Sequence, residues 1–63
     1  MKTTIKHYRE LKGWSQEELA ERSKVSRTTI SGFENETIDV TTNTTMNKIA
    51  EALGVSTIEL FFT

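Results

Sequence analysis

The 63-residue sequence predicts an all-α fold, a compact set of five short helices, and three observations carry that prediction. Helix start signals stand at Ser15, Ser26 and Ser56, two of them with glutamate three positions on (Glu18, Glu59), the spacing of a capping box. Apolar residues between these signals recur at three- and four-residue intervals, the period of a helix with one buried face. Gly13 and Gly54 stand where two of those patterns stop, and there is no proline to break a helix.

The first helix is expected over residues 4–12, with Ile5, Tyr8 and Leu11 on one face and Gly13 as its stop. Trp14 then precedes the second helix, residues 15–23, in the place of a hydrophobic staple. Ser26 opens the third as N-cap, and that helix extends over residues 26–35. Residues 36–42 read Glu-Thr-Ile-Asp-Val-Thr-Thr, a polar and β-branched run that favours extended backbone. The fourth helix begins between Thr42 and Thr44, turns Met46, Ile49, Ala50 and Leu53 inward, and ends at Gly54. Ser56 caps a short fifth helix that carries Leu60 and Phe61.

Composition narrows what such a chain does. Sixty-three residues make a single domain, residues 1–63, with no room for a separate catalytic lobe. A chain this short buries only about 60% of its unfolded surface, so as a monomer it is expected to be marginally stable. There is no cysteine, hence no disulfide framework and no thiolate metal site. The apolar run Leu60-Phe61-Phe62 falls far short of the roughly 20 residues of a membrane helix. With a polar start from Lys2 to Thr4, no secretory segment is visible, and the expected location is the cytoplasm. His7 is the only histidine and is expected to be an exposed side chain; the Glu17-Glu18 and Glu34/Glu36 pairs read as helix faces or caps. No catalytic set, cofactor, metal or small-molecule ligand is expected, so an enzyme is excluded.

Net charge is −1, but its distribution is uneven. Residues 1–32 hold seven Lys/Arg against four Glu, whereas residues 33–63 hold Lys48 against five acidic residues. The positive half contains the stretch 15–35, where Leu19, Ala20, Val25, Ile30 and Phe33 turn two helices inward to meet near Ala20. A small residue at the crossing permits the close approach that a helix-turn-helix requires. Ser26, Arg27, Thr28, Ser31 and Gly32 are then left on the outer face of the second of these helices, shaped to enter a DNA major groove about 12 Å wide. Arg27 is the leading base reader, because a guanidinium there makes a bidentate contact to guanine O6 and N7. Thr28 and Ser31 are short readers, and Gly32 lets the helix sit close to the base edges.

Gln16, Ala20, Val25, Ser26, Arg27, Ile30, Glu34 and Asn35 resemble the pattern of the phage-repressor and Cro-like (XRE-type) helix-turn-helix family. The resemblance continues through residues 49–56 and Glu59-Leu60-Phe61, covering about Ile5 to Phe61. It implies that Ser26, Arg27, Thr28 and Gly32 face bases, and that Gln16 and Asn35 hold backbone phosphates; the charges of Lys24 in the turn and Lys6 on the first helix are expected to add long-range attraction. The resemblance also implies that Arg9 bridges to Glu34, tying the recognition helix to the scaffold. Members pair through C-terminal helices and neighbouring loops, so Ile38, Val40, Ile58 and Phe62 are candidates for a homodimer interface; Ile38 and Val40 are equally candidates for the core.

Three departures from the family pattern stand out. Lys24 occupies a turn position where glycine is usual and the backbone left-handed. Glu36 and Asp39 lie in a loop where relatives carry glycine and basic residues, which weakens attraction to phosphate. Residues 42–45, Thr-Asn-Thr-Thr, make a poor helix start. The expected function is a sequence-specific, double-stranded-DNA-binding transcription regulator, a dimeric repressor of a short inverted repeat. The rival is an antitoxin-like or regulatory module that binds a protein through the acidic C-terminal half.

Overall fold

The computed structural model describes residues 1–62, which form five helices: α1 (Ile5–Leu11), α2 (Gln16–Ser23), α3 (Arg27–Glu34), α4 (Asn43–Leu53) and α5 (Thr57–Phe61). Each expected helix is present, its ends shifted by one or two residues because the capping residues lie just outside the helical hydrogen bonds.

Hydroxyl caps start four of them. The side-chain oxygens of Ser15, Ser26, Thr42 and Ser56 accept from the amides of Glu18, Thr29, Thr45 and Glu59. The expectation of a poor start at residues 42–45 is overturned. Thr42 Oγ1 accepts from the Thr45 amide at 3.2 Å and donates to Thr45 Oγ1 at 3.1 Å. Ser26 repeats the arrangement with Thr29, at 3.2 and 2.9 Å. In both, the hydroxyl three positions after the cap accepts from the cap's own hydroxyl and holds it in place. Glu18 makes only half of a capping box, since its carboxylate accepts from Arg22 Nε at 2.7 Å.

The helices converge on Ile5, Leu19, Val25, Ile30, Phe33, Met46, Ile49, Ala50, Leu53, Leu60 and Phe61. α2 packs on α3 and α4, α1 on α3, and α5 on α4. Phe33 of the third helix and Phe61 of the fifth meet edge to face, their ring centres 5.3 Å apart. Leu11 does not join them: it is 69% exposed. Six positions from buried Ile5, it lies some 120° off that face at about 100° per residue, whereas Arg9, four positions on, lies over it. The inner stripe of α1 therefore runs from Ile5 to the Arg9 stem.

The start of α1 lies beside α5. Thr4 donates its amide to the Leu60 carbonyl (2.9 Å) and its hydroxyl to the Glu59 carbonyl (2.7 Å), and the Tyr8 hydroxyl donates to Glu59 Oε2 at 3.0 Å. That last bond favours the protonated phenol and raises the Tyr8 pKa. No described helix is long and apolar enough to cross a membrane.

Candidate nucleic-acid interface

The turn between α2 and α3 brings the two helices together as the sequence anticipates. Lys24 adopts φ 62°, ψ 25°, the left-handed conformation usually left to glycine. Buried Ser23 supports the turn by accepting the Val25 amide at 3.2 Å. Val25 then plugs into the core and Ser26 starts α3.

On the outer side of α3, Arg27, Thr28 and Ser31 line an open hollow of about 240 Å³. Asn35 continues this stripe one turn on, donating from Nδ2 to Ser31 Oγ at 3.2 Å. Arg27, Thr28 and Asn35 are exposed and Ser31 is partly so. An exposed helix face that carries such a row of donors and acceptors can present them to base edges in a major groove.

Two residues expected on the reading face are otherwise engaged. The Ser26 hydroxyl serves as the cap described above, accepting and donating within the helix. Gly32 faces the protein's own loop: a Cβ there would lie 2.5 Å from Ile38 Cδ1 and 2.7 Å from Cγ1. A side chain at position 32 would displace Ile38, so the missing Cβ makes room for the protein's own loop. Ile38 accordingly packs against the core and is withdrawn from the expected dimer surface. Val40, Ile58 and Phe62 remain outside, at 86%, 64% and 66% exposed.

α3 ends in a Schellman motif. The Glu36 amide donates to the Phe33 carbonyl (3.2 Å) and the Thr37 amide to the Gly32 carbonyl (2.9 Å). The motif puts its first residue past the cap in the left-handed region. At the ends of α1 and α4 that residue is glycine, Gly13 and Gly54, but here it is Glu36, with φ 61°. Sequence reasoning placed Glu36 in a loop and missed its conformation; Asn35 followed by a polar residue after the last buried position, Phe33, was the available signal.

Behind this face a polar network joins three helices. Arg9 Nε and Nη2 hold the two Glu34 carboxylate oxygens at 2.8 and 3.0 Å, and Arg9 Nη1 donates to the Trp14 carbonyl at 2.7 Å. The side chains are 11% and 3% exposed. Gln16 Nε2 adds a bond to Glu34 Oε1 at 3.1 Å. Burial pushes the Glu34 carboxyl up, but the bonds from Arg9 and Gln16, with the charges of Arg9 and Lys6, outweigh it and hold the pKa below the ordinary value. Gln16 thus spends one amide hydrogen inside the protein, and its orientation is set by Glu34. It stands at the first position of α2, where unpaired helix amides and the dipole favour an anion.

Lys6 is exposed on α1 near this network. Lys24 opens instead on a separate groove of about 380 Å³, shared with Arg22, Lys48 and Glu51. It shares no lining with the hollow of Arg27, Thr28 and Ser31. Trp14 lies half-buried under two cations, Arg22 at 4.5 Å and Lys12 at 5.3 Å from the ring centre. His7 is exposed, its ring edge-on to Tyr8 at 5.1 Å. Among the described residues, no three His, Cys, Asp or Glu side chains are placed to hold a metal ion.

A helix-turn-helix family model matches residues 5–60. The chain is also 44% identical over 52 residues to Antitoxin HipB of Escherichia coli (strain K12). That alignment takes in 82% of this chain and 58% of the relative, so the chain spans less than two thirds of the relative's length.

Proposed function

The chain belongs to the XRE-type helix-turn-helix family of DNA-binding domains, not to a family of enzymes, and from that premise we propose that it is a sequence-specific transcription regulator. The observation that carries the reading is the exposed row Arg27, Thr28, Ser31 and Asn35 on a helix braced from behind by Arg9–Glu34. In this reading Arg27 contacts guanine, and Thr28 and Ser31 contact neighbouring base edges or thymine methyls. Phosphates sit at the amide end of α2 beside Gln16 and at Asn35, with Lys6 adding attraction. The domain comprises the whole of residues 1–63 and acts in the cytoplasm on double-stranded DNA.

Two copies pairing through Val40, Ile58 and Phe62 set two recognition helices about one helical turn of DNA apart, roughly 34 Å, and occupy a short inverted repeat. Occupancy of a promoter then represses by competition with polymerase, with no chemistry and no cofactor. The test is to select duplexes from a random pool with the purified protein and with Arg27→Ala alongside. A two-fold symmetric motif that loses a G·C preference in the variant supports the reading; no enrichment at low salt overturns it.

The likeness to a protein named an antitoxin favours a second reading, in which the chain is a protein-interaction module that holds a partner through its acidic second half. Salt distinguishes the two. DNA affinity falls steeply with added salt, by a slope of about −0.9 per phosphate contact.

A further inference from the structure

We infer that Glu36 limits the affinity of this domain for DNA: the fold fixes its backbone directly after Asn35, where a phosphate is expected. The inference rests on the DNA reading above and adds a determinant of affinity to it.

Position comes first. Thr28, Ser31 and Asn35 form one stripe along α3, Asn35 is joined to Ser31 by a hydrogen bond, and Glu36 is the exposed residue that follows. Its backbone has little freedom to swing away. The carbonyls of Phe33 and Gly32 take the amides of Glu36 and Thr37, and Thr37 Oγ1 donates a second bond to the Gly32 carbonyl at 3.2 Å. One residue further on, Ile38 is seated over Gly32.

Charge comes second. Among the described residues no ion pair engages Glu36, whereas the neighbouring Asp39 accepts from the N-terminal ammonium at 2.7 Å. A negative side chain within about 10 Å of phosphates, one Debye length at 0.1 M salt, is only partly screened and repels them.

The residue type is the third observation. A left-handed position suits glycine, and glutamate there costs about 1 kcal/mol or more. Glutamate at this site thus opposes both the local backbone and the ligand. A residue that breaks a local rule marks a place where the chain is strained or functional. Here the function is to keep binding weak enough to be reversible and dependent on the base contacts of Arg27.

Glu36→Gln isolates the charge, because it keeps the strained backbone and the side-chain length. Binding is read by fluorescence anisotropy on two probes: the duplex enriched by the selection described above and a random-sequence duplex of equal length. For Glu36→Gln, about threefold tighter binding to both is expected at low salt, the gain shrinking as salt rises, with an unchanged melting temperature. Glu36→Lys should tighten it about tenfold and steepen the salt slope by about one phosphate contact. Glu51→Gln, a charge removed from α4, should leave binding as it was. Equal affinity of the wild type and Glu36→Gln, or weaker binding by the variant, overturns the inference while leaving the DNA reading intact. Absence of binding by either protein overturns both.

Discussion

Ile38 occupies the space that a side chain at position 32 would need: a Cβ on Gly32 would come within 2.5 Å of Ile38 Cδ1. This contact joins the loop after the recognition helix to the helix itself. Gly32→Ala is therefore expected to destabilise the domain by about 1–3 kcal/mol through overpacking. Ile38→Ala on that background should recover part of the loss, giving a favourable coupling in a double-mutant cycle. Urea denaturation of the four proteins measures it, and additive effects would show that the two residues do not compete for space.

Glu34 is the anchor of the network behind the reading face. Its removal strands the Arg9 guanidinium, so Glu34→Ala is expected to cost about 3–5 kcal/mol, near the upper end for a well-buried pair. In a domain this small that is most of the stability, and the variant should melt before any change in base reading is seen. An unchanged melting temperature would refute the assignment.

Acid should loosen the same network. The Glu34 pKa is depressed in the folded state, so its contribution is complete above the unfolded carboxylate value and is lost as pH falls through the folded one. Asp39, held down by its bond to the N-terminal ammonium, acts in the same direction. Stability is therefore expected to decline from about pH 4.5 downward. Glu34→Gln should flatten that decline in a pH series of thermal melts, and a curve parallel to the wild type would argue against the assignment.

Lys24 offers a stabilising substitution. With φ at 62° and its side chain exposed, Lys24→Gly should relieve about 1 kcal/mol of backbone strain, less the extra freedom glycine brings to the unfolded chain. The net expectation is a small rise in melting temperature, and a fall would mean that the lysine makes contacts that offset its conformation.

The proposed pairing of two copies makes its own demand. Ile58 and Phe62 stand one turn apart at the end of α5, both mostly exposed. Ile58→Glu combined with Phe62→Glu should leave a folded monomer in sedimentation velocity, which binds each half of an inverted repeat no more tightly than a single half-site. A wild type that sediments as a monomer at high concentration would end the dimer reading.

Helix number and the turn between α2 and α3 were legible without the folded chain, because capping and apolar periodicity act within four residues. Ser15, Ser26 and Ser56 each accept the amide three positions on, as their spacing required. Arg27, Thr28 and Ser31 share an open face for the same local reason. Ile38, Arg9 and Gly32 were decided otherwise. Whether Ile38 turned inward depended on the space left by Gly32, and whether Arg9 could bury its guanidinium beside Ile5 depended on Glu34, 25 residues away, to receive it. Partner choice across such separations depends on how the helices pack, and no local pattern carries it. The left-handed Glu36 lies between the two cases: the end of α3 was readable nearby, but its Schellman geometry is completed by a loop that only the packed core holds down.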